Sequence, residues 1–249
     1  MTFHTFLVRC AVAAVALAGL LGWAASSSGA TAAATSTHPI SATRSGTSGS
    51  APSFVIDQRI ARDARLRLSD LPSGWMAGDT VSTPTAAAPC PGLRRAQGFV
   101  SAASVSPAFS DGDIRTAQSE TYVYADTALA KHWFAEFSSR STRACLARLI
   151  RQEGAAAVAA EGFTVGSLTT RTLAVGPVGD ERAAFHVTVP VSGSGVTFKV
   201  EADAVFVRAG RGIAIFSLAS LQSPFDPGLE RSLVRTVTAR LAGDLRTAS

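Results

Sequence analysis

Few residues of this chain have the type and spacing to do chemistry, and His186 heads them. It sits in Glu181-Arg-Ala-Ala-Phe-His186-Val-Thr188, one residue from a strictly alternating apolar set, Ala183, Phe185, Val187, Val189 and Val191. Strand parity puts it opposite Asp203 or Glu201 on the next apolar-alternating segment, with Thr188 and Lys199 on the same face. A histidine beside a carboxylate is half of a general-base pair. The same residues also read as a cross-strand polar pair worth about 0.2–1 kcal/mol at the wet end of a sheet. His132 and Glu136 lie one helical turn apart and read as a solvated pair. The other histidines fall in the leader and the spacer that follows it. No H-x-x-x-H, C-x-x-C, G-x-x-x-x-G-K-[ST] or G-x-S-x-G is present. The sequence therefore nominates no catalytic residue, no metal ligand and no cofactor.

The cysteines number three. Met1 to Ala30 has one early charge, Arg9, then an apolar run from Cys10 to Ala25, then small residues. That is the pattern of a secretory signal, and the run is shorter than the ~20 residues a membrane span needs. Cleavage near Ala30 or within Ala32–Ala34 would remove Cys10. Cys90 and Cys145 remain, a pair in an oxidising compartment, and are expected to be bridged. Closing a loop of that length is worth roughly 4 kcal/mol in the chain-entropy picture.

A third set is cationic. Phe54 to Leu68 carries Ile56, Ile60, Ala64 and Leu68 at helical spacing, with Arg59, Arg62 and Arg65 on another side. Such a stripe is a solvated helix face or a contact for an anionic wall polymer or lipid. Net charge is +5, nearly all of it arginine. A basic balance can signal nucleic acid, but the export signal argues against it.

The elements that position these groups follow from periodicity. Glu181 to Leu221 reads as three antiparallel strands. Dry-on-dry pairing requires a two-residue first turn, either Gly193-Ser194 or Ser194-Gly195, and places Gly210 first in a type II′ second turn. Phe206 then lies near Ile215, and Val205 near Phe216. Pro190 lacks a donor, so it marks an edge or a bulge. The second sheet face is wet around Lys199, Glu201 and Asp203. It is dry around Val205, Val207, Phe216 and Leu218, where it needs a cover or offers a partner site. Asp226-Pro227 starts a helix whose Leu229, Leu233, Val237, Leu241 and Leu245 should lie across that dry face.

Upstream, Trp75 to about Thr83 and Ile114 to Tyr124 read as strands. Asp126 caps a helix bearing Leu129, Trp133 and Phe137, and a second helix runs from about Thr142 to Val158. Gly162 to Val175 reads as a further strand. The fold class is α+β, a mainly antiparallel sheet of about six strands packed against helices. Residues 1–30 read as signal peptide, 31–53 as a disordered Ala/Ser/Thr/Gly spacer and 54–249 as one globular domain.

Several motifs recur in order along the chain: Asp70-Leu71-Pro72-x-Gly74-Trp75, Cys90, Ser106-Pro107-x-Phe109, Tyr122-x-Tyr124, Cys145, Gly179-Asp180-Glu181, Val205-Phe206-Val207-Arg208-x-Gly210-Arg211 and Arg240-Leu241. In that order the chain resembles a group of small exported actinobacterial proteins. It is similar to the extracellular sensor domains of mycobacterial serine/threonine kinases and to the PsbP-like α/β/α sandwich. The resemblance implies a secreted or envelope-associated binding or sensing module, and it supplies no catalytic residue.

The functional expectation is an exported, non-catalytic ligand-binding or sensor-like domain. Its partner would be a small molecule, lipid or cell-envelope component, and not nucleic acid; the membrane enters only if the leader stays uncleaved. An envelope protein binding an anionic surface is the first alternative. A hydrolase or isomerase using His186 with an acid is the second. Candidate binding residues are His186, Lys199, Glu201, Asp203, Val205 and Phe216.

Overall fold

A computed structural model describes residues 54–78, 90, 99–112, 115–159 and 162–248. The signal and spacer expected over 1–53 lie outside these residues. No helix among them is long and apolar enough to cross a membrane.

The centre of the molecule is the predicted three-strand unit, β7 (Glu181–Gly193), β8 (Val196–Ala209) and β9 (Gly212–Leu221). The first turn centres on Ser194-Gly195, both at positive φ (51° and 75°), because Gly193 pairs with Val196. This is the primed geometry that matches strand twist, and it fixes His186 opposite Asp203. The second turn has Gly210 at φ 57°, with Phe206 facing Ile215 and Val205 facing Phe216, as parity requires.

β4 (Arg115–Tyr124) joins the far side of β9. On β4's outer edge, β2 (Val100–Val105) and β3 (Phe109–Asp111) pair at its two ends, and β1 (Met76–Ala77) pairs with β3. On the outer edge of β7, β6 (Thr169–Thr172) and β5 (Phe163–Val165) pair in the same manner.

The sheet thus has nine strands rather than about six, all pairings antiparallel. The difference has physical causes. Val100–Val105 is Ser/Ala-rich, so it shows little hydropathy alternation. The expected strand over 162–175 is split, and Pro190 splits it. Its pairing with β8 runs unbroken through Lys199, so there is no bulge. On the outer side it has no N–H to offer, and it falls between the β5 and β6 ladders, its carbonyl accepting from Gly166 N at 2.8 Å.

Helices cover both faces. One face carries Phe185, Val187, Phe198, Phe206, Ile213 and Ile215 under α2 (Thr127–Ser138) and α3 (Arg140–Ala159). Asp126 caps α2 by accepting from Leu129 N at 2.8 Å, and Trp133, Phe134 and Phe137 point inward. Cys90 and Cys145 are bridged, with Cα atoms 5.8 Å apart, within this layer. The other face carries Ala184, Val205, Val207, Ala214, Phe216 and Leu218. It lies under α1 (Phe54–Ala64) and α4 (Pro227–Thr247). α4 begins where Asp226 accepts from Leu229 N and buries Leu233, Val234, Val237, Leu241 and Leu245. The architecture is three-layered, helices on either side of one sheet.

Candidate functional site

His186 lies on the α1/α4 face, and its surroundings come from three elements. Its cross-strand partner Asp203 hydrogen-bonds Nδ1 at 2.6 Å, and the diagonal neighbour Glu201 hydrogen-bonds Nε2 at 2.7 Å. Thr188, two residues along β7, donates to Glu201 Oε2 at 2.6 Å. From above, Glu230 in the first turn of α4 comes near enough to feel the Asp203 charge. His186, Glu201, Asp203 and Glu230 are each less than 10% exposed.

The chemistry of this quartet is proton sharing. Two carboxylate acceptors on two ring nitrogens call for two donors, and a neutral imidazole has one. The trio therefore holds one proton more than a neutral ring and two carboxylates would. Either the ring is imidazolium, or a carboxyl keeps its proton. Burial pushes the Asp203 carboxyl upward, against the pull of the His186 hydrogen bond and the Arg171 charge. Burial, aided by repulsion from Asp203, pushes Glu230 up to about 7, while Arg231 and His186 oppose the rise.

This geometry does not leave a general base free. Both nitrogens of His186 are engaged. Among the described residues, His186, Glu201 and Asp203 line none of the grooves described below. Glu230 alone borders one, of about 60 Å³, between α4 and the segment 173–178. Among the described residues no three His, Cys, Asp or Glu side chains are arranged to hold a metal.

The other predicted site residues fall apart from this cluster. Lys199 is on the same face but solvent-exposed, opposite Pro190. Val205 and Phe216 are fully buried, because α1 and α4 supply the cover that the dry end needed. No free patch remains there. Of the arginine stripe, Arg59 and Arg62 are exposed, while Arg65 donates to Val105 O at 3.0 Å.

Many of the motif residues that carried the resemblance tie one element to another. Asp57 of α1 is fully buried and takes a bidentate pair from Arg211 at 2.6 and 2.9 Å. Arg211 also donates to Tyr124 O at 2.9 Å. Arg240 of α4 grips Asp70 at 2.6 and 3.1 Å, and Arg208 pairs with Asp180 and Glu181. Ser106 accepts from Ser119 N at 2.9 Å, closing β2 onto β4. These contacts join helices and loops to the sheet rather than forming a reaction centre.

Open concave surface lies elsewhere. A groove of about 680 Å³ runs between the 209–211 turn and α4. Two more adjoin on the opposite face, about 450 and 370 Å³, sharing Arg143, Thr172 and Phe185. Of the arginines at their rims, Arg140 and Arg143 come from α3, whereas Arg171 and Arg182 pair with His186 and Val207 and so belong to the α1/α4 face of the sheet. Sequence reasoning did not single them out. The one local signal is the pair Arg140 and Arg143, one turn apart; the other two lie 28 or more residues downstream of Arg143.

No family model and no curated protein matches the chain. Solved structures similar to it include two mycobacterial proteins. One is the extracellular domain of PknH from Mycobacterium tuberculosis, at 9% identity and TM-score 0.39, covering 76% of this chain and 96% of that one. The other is LpqN, involved in cell envelope biogenesis of Mycobacterium tuberculosis, at 11% identity and TM-score 0.24, covering 67% and 77%.

Proposed function

We propose that this protein is an exported, non-catalytic ligand-binding domain. The leader pattern supports export. The observation that carries the non-catalytic reading is the closure of His186. The one histidine with acidic partners has both nitrogens hydrogen-bonded to buried carboxylates and lies beneath the first turn of α4. A general base needs a free lone pair within reach of substrate. The concave surfaces instead present arginines, hydroxyls and short apolar side chains, which suits binding.

A thermal-shift screen of lipids, phosphorylated compounds and cell-wall fragments against the purified, disulfide-bonded protein tests this. At least one compound should raise the Tm by several degrees through mass action, and by the same amount in His186→Gln. Turnover of any compound that disappears in His186→Gln would overturn the reading, as would a screen in which nothing binds. Binding of an anionic wall polymer or lipid surface through Arg59 and Arg62 is the second reading, favoured by their exposure on α1. Strong salt dependence, lost in the double glutamine variant, would support it.

A further inference from the structure

We propose that the outer face of α1 seats on an anionic lipid bilayer, with Phe54 and Val55 entering the interface and Arg59 and Arg62 meeting the headgroup phosphates. The proposal rests on the second reading above, binding of an anionic surface, and names lipid as that surface. Phe54 and Val55 are 60% and 75% exposed. Among the described residues no other α-helix exposes a large apolar side chain. The opposite side of α1 is already occupied. Asp57, Ile60, Ala61 and Ala64 are buried, the three apolar ones in the core shared with the sheet and α4. Phe54 and Val55 therefore contribute nothing to that core and stand in water until a partner covers them.

Helical spacing puts these groups on one side. Phe54, Gln58 and Arg62 follow one another at i, i+4 and i+8, and Val55 and Arg59 form the neighbouring row. Arg59 and Arg62 are exposed and have no ion-pair partner among the described residues. Of the carboxylates on α1, Asp57 is held by Arg211 inside the fold, which leaves the half-buried Asp63 to offset them. Arginines alone on such a helix read as a solvated face. The apolar pair beside them decides between the anionic partners. A wall polymer supplies charge and no hydrocarbon, so it gains nothing from Phe54 and Val55. A bilayer takes apolar side chains below its headgroups while arginines snorkel to the phosphates. α1 also follows the spacer read over 31–53 directly, so a leader retained in the membrane would hold this end of the helix at the bilayer.

Co-sedimentation of the exported, leader-cleaved and disulfide-bonded protein tests this. The probes are vesicles of mixed phosphatidylglycerol and phosphatidylcholine, vesicles of phosphatidylcholine alone, and soluble sodium polyphosphate. The protein should bind the mixed vesicles, more weakly as salt rises, and bind phosphatidylcholine alone about tenfold more weakly. Phe54→Ser/Val55→Ser should weaken binding to mixed vesicles about tenfold or more, the factor carried by transferring one such side chain out of water, and should leave polyphosphate binding unchanged. Arg59→Gln/Arg62→Gln should weaken both, by roughly fivefold per arginine. Asp63→Asn should tighten binding to the mixed vesicles. Phe54, Val55, Arg59 and Arg62 are exposed, so their variants should keep the parent Tm, which marks any loss as one of binding.

The proposal is overturned if Phe54→Ser/Val55→Ser binds mixed vesicles as the parent does, if phosphatidylcholine alone binds as well as the mixture, or if polyphosphate binds and the mixed vesicles do not. In the first and third cases, binding that is lost in Arg59→Gln/Arg62→Gln leaves the anionic-surface reading standing. No binding to vesicles or polyphosphate at low salt would sink both.

Discussion

Two ionic clusters are buried on the same face of the sheet, and they are balanced differently. At the 209–212 turn, Asp57 meets Arg211 in a bidentate pair, one anion to one permanent cation. Beneath the first turn of α4, three carboxylates surround one histidine. Burial is similar, since Asp57, Asp203, Glu201 and Glu230 are all nearly inaccessible. The difference lies in the counter-charge. Arginine keeps its proton at any pH the protein meets, so the first cluster is a fixed tie between α1 and the hairpin. Burial raises the Asp203 carboxyl and pushes Glu230 up to about 7, so the second is a tie whose strength depends on pH.

Breaking the fixed pair should have the largest effect. Asp57→Asn leaves Arg211 largely buried without its charge partner and should cost about 3–5 kcal/mol. Urea unfolding at pH 5 and pH 8 should show the same loss at both. A loss that changes steeply between them would erase the contrast drawn here.

His186→Gln removes the group that shares a proton with Asp203 and Glu201. It should cost about 2–4 kcal/mol, because it leaves two buried carboxyls without their hydrogen-bond partner. Urea unfolding measures it, and a cost below about 1 kcal/mol would mean that the cluster does not tie the strands together.

The smallest effect has the opposite sign. The Glu230 carboxyl is raised from 4.5 to about 7, by burial first and Asp203 second. Below about pH 4.5 it is protonated in both the folded and the unfolded chain, and it costs nothing. As pH rises toward 7 the unfolded chain ionises while the folded one resists, so stability falls; above about 7 the penalty is complete. The charged groups it feels are Asp203 and His186 on the sheet and Arg231 on its own helix. Glu230→Gln should therefore raise stability by about 2 kcal/mol at pH 8 and leave it unchanged at pH 4, the conversion of ~1.4 kcal/mol per unit giving about 3 kcal/mol before a discount for solvent screening. Guanidinium melts of the two proteins at those pH values measure it. A gain at pH 4 as large as at pH 8 would assign the effect to packing instead.

Much of this fold was legible in the chain. Alternation at Phe185, Val187 and Val189 and the dry-on-dry requirement narrowed the register of β7 and β8 to two choices, because a one-residue slip would expose the core. One of those choices put His186 opposite Asp203. The compartment argument found the Cys90–Cys145 bridge, and capping chemistry at Asp126 and Asp226 located two helix starts. Short strands escaped because Val100–Val105 owes its place to pairing with β4 rather than to its own pattern. Glu230 could not be assigned to the His186 cluster in advance, since nothing local tells which face of a helix start meets which strand position.

The sequence by itself determined the local geometry, the alternation, the caps, the turns and the sparse histidines and cysteines, because these depend on neighbours within a few residues. Only the tertiary structure decided what the charged residues do. Arg211, Arg240 and Arg208 became ties because distant carboxylates arrived beside them, while Arg59 and Arg62 stayed in solvent. Coulomb interactions act through space and are blind to chain separation. A residue's charge can therefore be read from the sequence, and its partner cannot.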